Sequence, residues 1–167
     1  MINWKNIIAT LDTNRSRDIT VDPAVWDLSN PEYEKILTLW KSHNFNTDSV
    51  KWTNYYLDYK IQELFAEQMN CVPLRSWISR IDPGYMTGWH WDVDENESLY
   101  RSAGDLVRYT CFIDTPKLGH IFLVDDQYYF NMPHGKIIKW NKYNDWHLGT
   151  NGGLEPFYMF HLIGINR

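Results

Sequence analysis

A chain of 167 residues fits one domain with one sizeable core, 1–167. A net charge of −5 argues against a broad phosphate-binding surface, and no apolar run approaches the length of a membrane span, so neither nucleic acid nor membrane is an expected partner. Aromatic residues make up 16% of the chain, nine Trp and eleven Tyr among them, which suits large rings filling a β-rich core. Cys71 and Cys111 are far apart and form no C-x-x-C motif. They read as small buried apolar residues of a reduced compartment. With no apolar targeting core after Met1, the expectation is a soluble, cytoplasmic protein.

Residues 1–70 read as a helical support region. Ile7-Ile8-Ala9 suits a short strand or a helical turn, and Thr13 to Asp18 is too polar for core. Ser29-Asn30-Pro31-Glu32 is a helix start, with a capping residue, a proline in the first turn and an acid at the positive end of the dipole. That helix runs to about His43 and carries Tyr33, Ile36, Leu37 and Trp40 on one face. A second helix is expected from Thr47 or Asp48 to about Met69, because Leu57, Ile61, Leu64 and Phe65 follow the helical period. Both helices are expected to cover one face of a sheet.

Residues 71–167 read as the β core. Strands are expected over Val72–Ile81, after the Pro83-Gly84 turn through His90 to Asp92, and over Leu106–Ile113, Lys136–Trp140, Asp145–Leu148 and Phe157–Ile165, with a loop up to Asp105. Ile121–Val124 and Tyr128–Phe130 flank a short polar turn and form a hairpin. Several short strands with turn signals between them indicate a sandwich or small barrel.

The chemistry concentrates in Arg80-Ile81-Asp82-Pro83-Gly84, a turn that delivers the chain to Trp89-His90-Trp91-Asp92. In an extended segment His90 and Asp92 share a face, giving an imidazole and a carboxylate: two of the three ligands of a 2-His-1-carboxylate iron site. Candidates for the third are His120, His134, His147 and His161, while His43 reads as a surface residue. His147 sits between two β segments, and His161 on the last strand is its main rival.

Arg80-x-x-Pro83-Gly84, His90-x-Asp92, Gly135 to Asn141, His147-x-x-x-Asn151 and Phe160-His161-Leu162-Ile163 together resemble the Fe(II)- and 2-oxoglutarate-dependent dioxygenases, in their aspartyl/asparaginyl β-hydroxylase-like or prolyl-hydroxylase-like branches. The resemblance covers residues 80–163, about half the chain. It implies a mainly β fold, a double-stranded β-helix (jelly roll, cupin-like) with the N-terminal helices on one face. It also implies Fe(II) held by His90, Asp92 and His147, 2-oxoglutarate and O2 as co-substrates, and hydroxylation of a C–H bond on a peptide or protein side chain, an amino acid or another small molecule.

The pattern departs from the family on the final strand, where Leu154 to Ile163 offers no Arg or Lys for the distal carboxylate of 2-oxoglutarate. Arg108 is the replacement, with Thr110 on the same strand face and His161 and Asn151 as helpers. Arg80 is assigned to bracing its turn, and Trp91 and Tyr85 are candidate substrate contacts. Two rival readings remain open: a metal-binding cupin enzyme that does not use 2-oxoglutarate, and a non-catalytic jelly-roll binding protein.

Overall fold

A computed structural model describes residues 2–20, 31–91, 106–115, 117–140 and 145–167. Its strands are β1 (Ser16–Thr20), β2 (Lys51–Tyr56), β3 (Cys71–Ile81), β4 (Leu106–Phe112), β5 (His120–Val124), β6 (Gln127–Phe130), β7 (Ile137–Trp140), β8 (His147–Asn151) and β9 (Phe157–Asn166). The larger sheet has the order β1-β2-β3-β9-β4-β7, and the smaller has β6-β5-β8. All the strand pairings are antiparallel.

Segment 84–90 adds a fourth, irregular member beside β8, through bridges Met86↔Thr150 and His90↔His147. From Cys71 onward the chain therefore crosses repeatedly between the sheets. It takes β3, then segment 84–90, then β4, then the β5–β6 hairpin, then β7, β8 and β9. That winding is a double-stranded β-helix, and the strand order alone establishes it.

Three α-helices precede or interrupt the first strands: α1 (Trp4–Ala9), α2 (Pro31–Ser42) and α3 (Tyr59–Gln68). Of the residues expected to start α2, Ser29 and Asn30 lie outside the described residues. The long second helix expected from Thr47 to Met69 is corrected. A 3-10 turn occupies Thr47–Ser49, β2 follows, and only Tyr59–Gln68 is helical. Trp52, Thr53, Tyr55 and Tyr56 favour a pleated, half-buried surface, and pairing with β1 and β3 on both sides satisfies their backbone. β1 was likewise not expected. It is an edge strand with Arg17 and Asp18 exposed, and only Ile19 gives it an apolar contact with the core.

Two apolar clusters lie on opposite faces of the larger sheet. Outside, Trp4 of α1 and Phe65 of α3 close over Ile78, Phe160 and Leu162. The ring centroids of Phe65 and Phe160 are 4.6 Å apart, and those of Trp4 and Phe160 are 4.9 Å apart. Helix α2 packs elsewhere, with Ile36 and Trp40 joining the second cluster around Ile81, Phe122 and Met159. The helical cover is thus divided between the outer face and the neighbourhood of segment 84–90. Cys71 and Cys111 are buried free thiols, as expected.

Candidate metal centre and its cavity

His90 and His147 come from neighbouring segments of the smaller sheet and stand side by side. Each backbone N–H donates to the other's carbonyl, at 3.1 Å from His90 and 2.7 Å from His147. Their ring centroids are 4.3 Å apart. Nδ1 of His90 lies 2.9 Å from the Gly88 carbonyl, and Nδ1 of His147 lies 3.2 Å from the Asp145 carbonyl. A carbonyl oxygen can only accept, so Nδ1 carries the proton in each ring, which in the neutral imidazole leaves the lone pair on Nε2. Such backbone anchors are typical of metal-ligating imidazoles.

The backbone that carries His90 contains one residue more than its partner strand. From Met86 to His90 is four steps, whereas Thr150 to His147 is three, so the segment bulges. Gly88 lies within the bulge at φ +74°, a left-handed conformation that a side chain would strain. A Cβ there would also lie 2.5 Å from the ring of Trp40. That indole is tied to the same segment by Nε1–H donating to the Trp89 carbonyl at 2.7 Å.

The histidine pair borders a cavity of about 60 Å³ between the two sheets. Across it, the inner face of the larger sheet carries an unusual polar floor. Ser79, Arg108, Thr110 and His161 are all buried, with Arg108 only 2% exposed. Ser79 Oγ lies 2.8 Å from His161 Nε2, and Thr110 Oγ1 lies 3.1 Å from His161 Nδ1. Trp140 Nε1–H donates to Thr110 Oγ1 at 3.2 Å, and the Arg108 guanidinium sits 5.4 Å from the Trp140 ring centroid. Arg108 supplies the only formally charged cavity lining among the described residues.

The expected site residues divide into three groups. His90, His147, Arg108 and His161 all line this one cavity, and Thr110 stands behind it, bonded to His161. Asp92 lies outside the described residues. Among the described residues no group of three His, Cys, Asp or Glu gathers in metal-binding geometry, so the pair is what the structure shows.

Asn151, Trp91 and Tyr85 do not line this cavity. Asn151 Nδ2 donates to the carbonyls of Ile81 and Glu155, each at 2.8 Å, and Oδ1 accepts from Gly153 N–H at 2.9 Å. Its amide is committed to holding loops together and does not line the cavity. Trp91 is buried edge-on against Trp146 at 4.4 Å, and Tyr85 lies under Lys51.

The competing histidines are also placed. His134 and His43 are exposed. His120 stacks on Phe157 at 4.5 Å and donates Nε2–H to the Glu155 carbonyl, and burial holds its pKa below the ordinary value. Arg80 pairs with Asp82 at the entry to the Pro83-Gly84 turn.

Sequence reasoning missed Trp52, Asn54 and Ser79, which all line the cavity. Trp52 stacks on His90 with ring centroids 5.9 Å apart and planes 29° apart. The signal was present: Trp52 and Asn54 alternate with Thr53 in a run of β-favouring residues. The donor set fits a divalent first-row metal, with two imidazoles presenting Nε2 and a carboxylate two residues beyond one of them in sequence.

No family model matches the chain, and no curated protein matches it. Among solved structures it is similar to a predicted oxalate decarboxylase from Thermotoga maritima, with 15% identity, 69% of this chain and 81% of that one covered, and a TM-score of 0.41. It is also similar to a sugar phosphate isomerase of a cupin superfamily from Silicibacter pomeroyi, with 10% identity, 68% and 59% covered, and a TM-score of 0.42. A third likeness is to the cupin domain of a transcriptional regulator from Enterobacter cloacae, with 10% identity, 70% and 98% covered, and a TM-score of 0.44. At such identities and scores these likenesses assign no chemistry to this chain.

Proposed function

We propose that this chain is a non-haem Fe(II)- and 2-oxoglutarate-dependent dioxygenase that hydroxylates a C–H bond of a small molecule or a peptide side chain. The observation that carries the reading is the convergence of His90 and His147 at one cavity with a buried Arg108 in its lining. Bound iron would supply the activation of O2, with 2-oxoglutarate oxidised to succinate and CO2 as the substrate is hydroxylated.

The chain's own part is to hold and to exclude. His90 and His147 present fixed imidazoles, and Asp92 completes the set with charge. Arg108 offers a cation to the distal carboxylate of 2-oxoglutarate, in surroundings dry enough to strengthen that attraction. Thr110 and His161, locked to Ser79 and Trp140, keep this floor from rearranging. Trp52, Trp140 and Phe122 keep bulk water from the reacting centre.

Anaerobic titration with Fe(II) and then 2-oxoglutarate tests the proposal. The expected result is a visible metal-to-ligand charge-transfer band, lost in both His147→Ala and Asp92→Ala. Metal binding without the band would leave a metal-dependent enzyme of another kind. Failure to bind divalent metal at all would remove the reading.

A further inference from the structure

Strand β2 is not needed to close the double-stranded β-helix, yet it places two side chains in the cavity. Trp52 and Asn54 are two residues apart and face inward. Thr53 between them points out, its hydroxyl donating to Asp18 Oδ1 at 2.6 Å. Asn54 is 7% exposed, and its Oδ1 has no hydrogen-bond donor among the described residues. A buried acceptor left unmatched is costly, so it is most readily retained where a ligand supplies the donor.

We infer that Asn54, with Trp52 beside it, recognises the primary substrate, and that the recognised group is an N–H or O–H donor. This deepens the proposed function and rests on it only for the word substrate. A carboxylate offers acceptors alone, so Asn54 Oδ1 repels it and Arg108 attracts it. The cavity thereby sorts an anionic ligand from a donor-bearing one. Trp52 bridges the two halves of the site, because the ring that walls the Asn54 side also stacks on His90. The ligand class that fits is a small amide, amine or alcohol, held by its donor against an aromatic wall.

The test uses the full chain without metal, so that its outcome is independent of iron and 2-oxoglutarate chemistry. Acetamide, N,N-dimethylacetamide and acetate are titrated by ligand-observed NMR into the wild type, Asn54→Asp and Asn54→Leu. Acetamide is expected to bind about tenfold more tightly than its dimethyl analogue in the wild type and in Asn54→Asp. That preference is expected to vanish in Asn54→Leu, while acetate binding is unchanged there.

Because the acceptor is unmatched, Asn54→Leu is also expected to keep or raise the unfolding temperature. Equal binding of the two amides by the wild type overturns the inference, whether or not any variant folds. So does a preference that survives in Asn54→Leu. A failed charge-transfer experiment beside a positive amide preference removes the oxygenase reading and leaves this recognition site standing.

Discussion

The two faces of the larger sheet use the same strands and are equally dry, yet the inner face alone mixes buried polar side chains with its apolar ones. On the outer face, β4 contributes Val107, Tyr109 and Cys111, and β9 contributes Phe160 and Leu162, all packed under α1 and α3. On the inner face the same strands contribute Arg108, Thr110 and His161. Burial therefore does not account for the polar residues, since every residue of β4 is buried. What separates the faces is that one meets helices and the other meets the paired imidazoles. A strand buried on both sides, whose polar residues recur with period two, points to a ligand on one side.

The sharpest way to break this comparison is to damage the outer face and watch the inner one. Phe160 is fully buried between two aromatic rings, so Phe160→Ala is expected to cost about 3–5 kcal/mol in urea unfolding. Divalent metal affinity measured on the folded variant should be unchanged, and a parallel loss would mean the faces are not separable. The reverse experiment is Arg108→Met. Affinity for 2-oxoglutarate is expected to fall by about 1.5–3 kcal/mol, roughly tenfold to a hundredfold, with Fe(II) affinity retained in the same anaerobic titration.

The last effect comes from the outer face again, and it shows only at alkaline pH. Burial pushes the Cys111 thiol up to about 12 from an ordinary 9.0. The folded chain keeps this proton where the unfolded chain releases it. The associated stability is fully present below pH 9.0 and is lost as the pH rises toward 12, at roughly 1 kcal/mol per pH unit. Cys111→Ala should flatten unfolding temperature against pH in that window relative to the parent.

Much of the barrel was legible because its strands obey local rules. The strands from Cys71 onward announced themselves by apolar runs between turns, but β8 runs to Asn151 rather than ending at Leu148, and the strand expected to carry His90 is a bulged segment held by isolated bridges. The approach of His90 to His147 was legible as an expectation, and the structure brings the two together. β2 was not legible as a strand because the genuine helical period of Leu57, Ile61 and Phe65 was extended backward over Trp52 to Tyr56. That one error hid Trp52 and Asn54 from the site. Asn151 misled for a different reason. Its place after His147 suggested ligand binding, but its three hydrogen bonds go to neighbouring backbone, a use that no local pattern distinguishes.

The surplus residue at Gly88 has a further consequence. Side chains along a strand alternate, so an unbroken ladder from Met86 would seat His90 opposite Trp146 instead of His147. Straightening the segment at its present length would therefore turn the imidazole away from that of His147, whereas the bulge keeps the two on one face. Trp40, lying against Gly88 from a helix some fifty positions earlier in the chain, acts as the wedge that keeps this offset in register. The facing of the two imidazoles thus depends on a backbone offset carried by a stretch with almost no regular secondary structure.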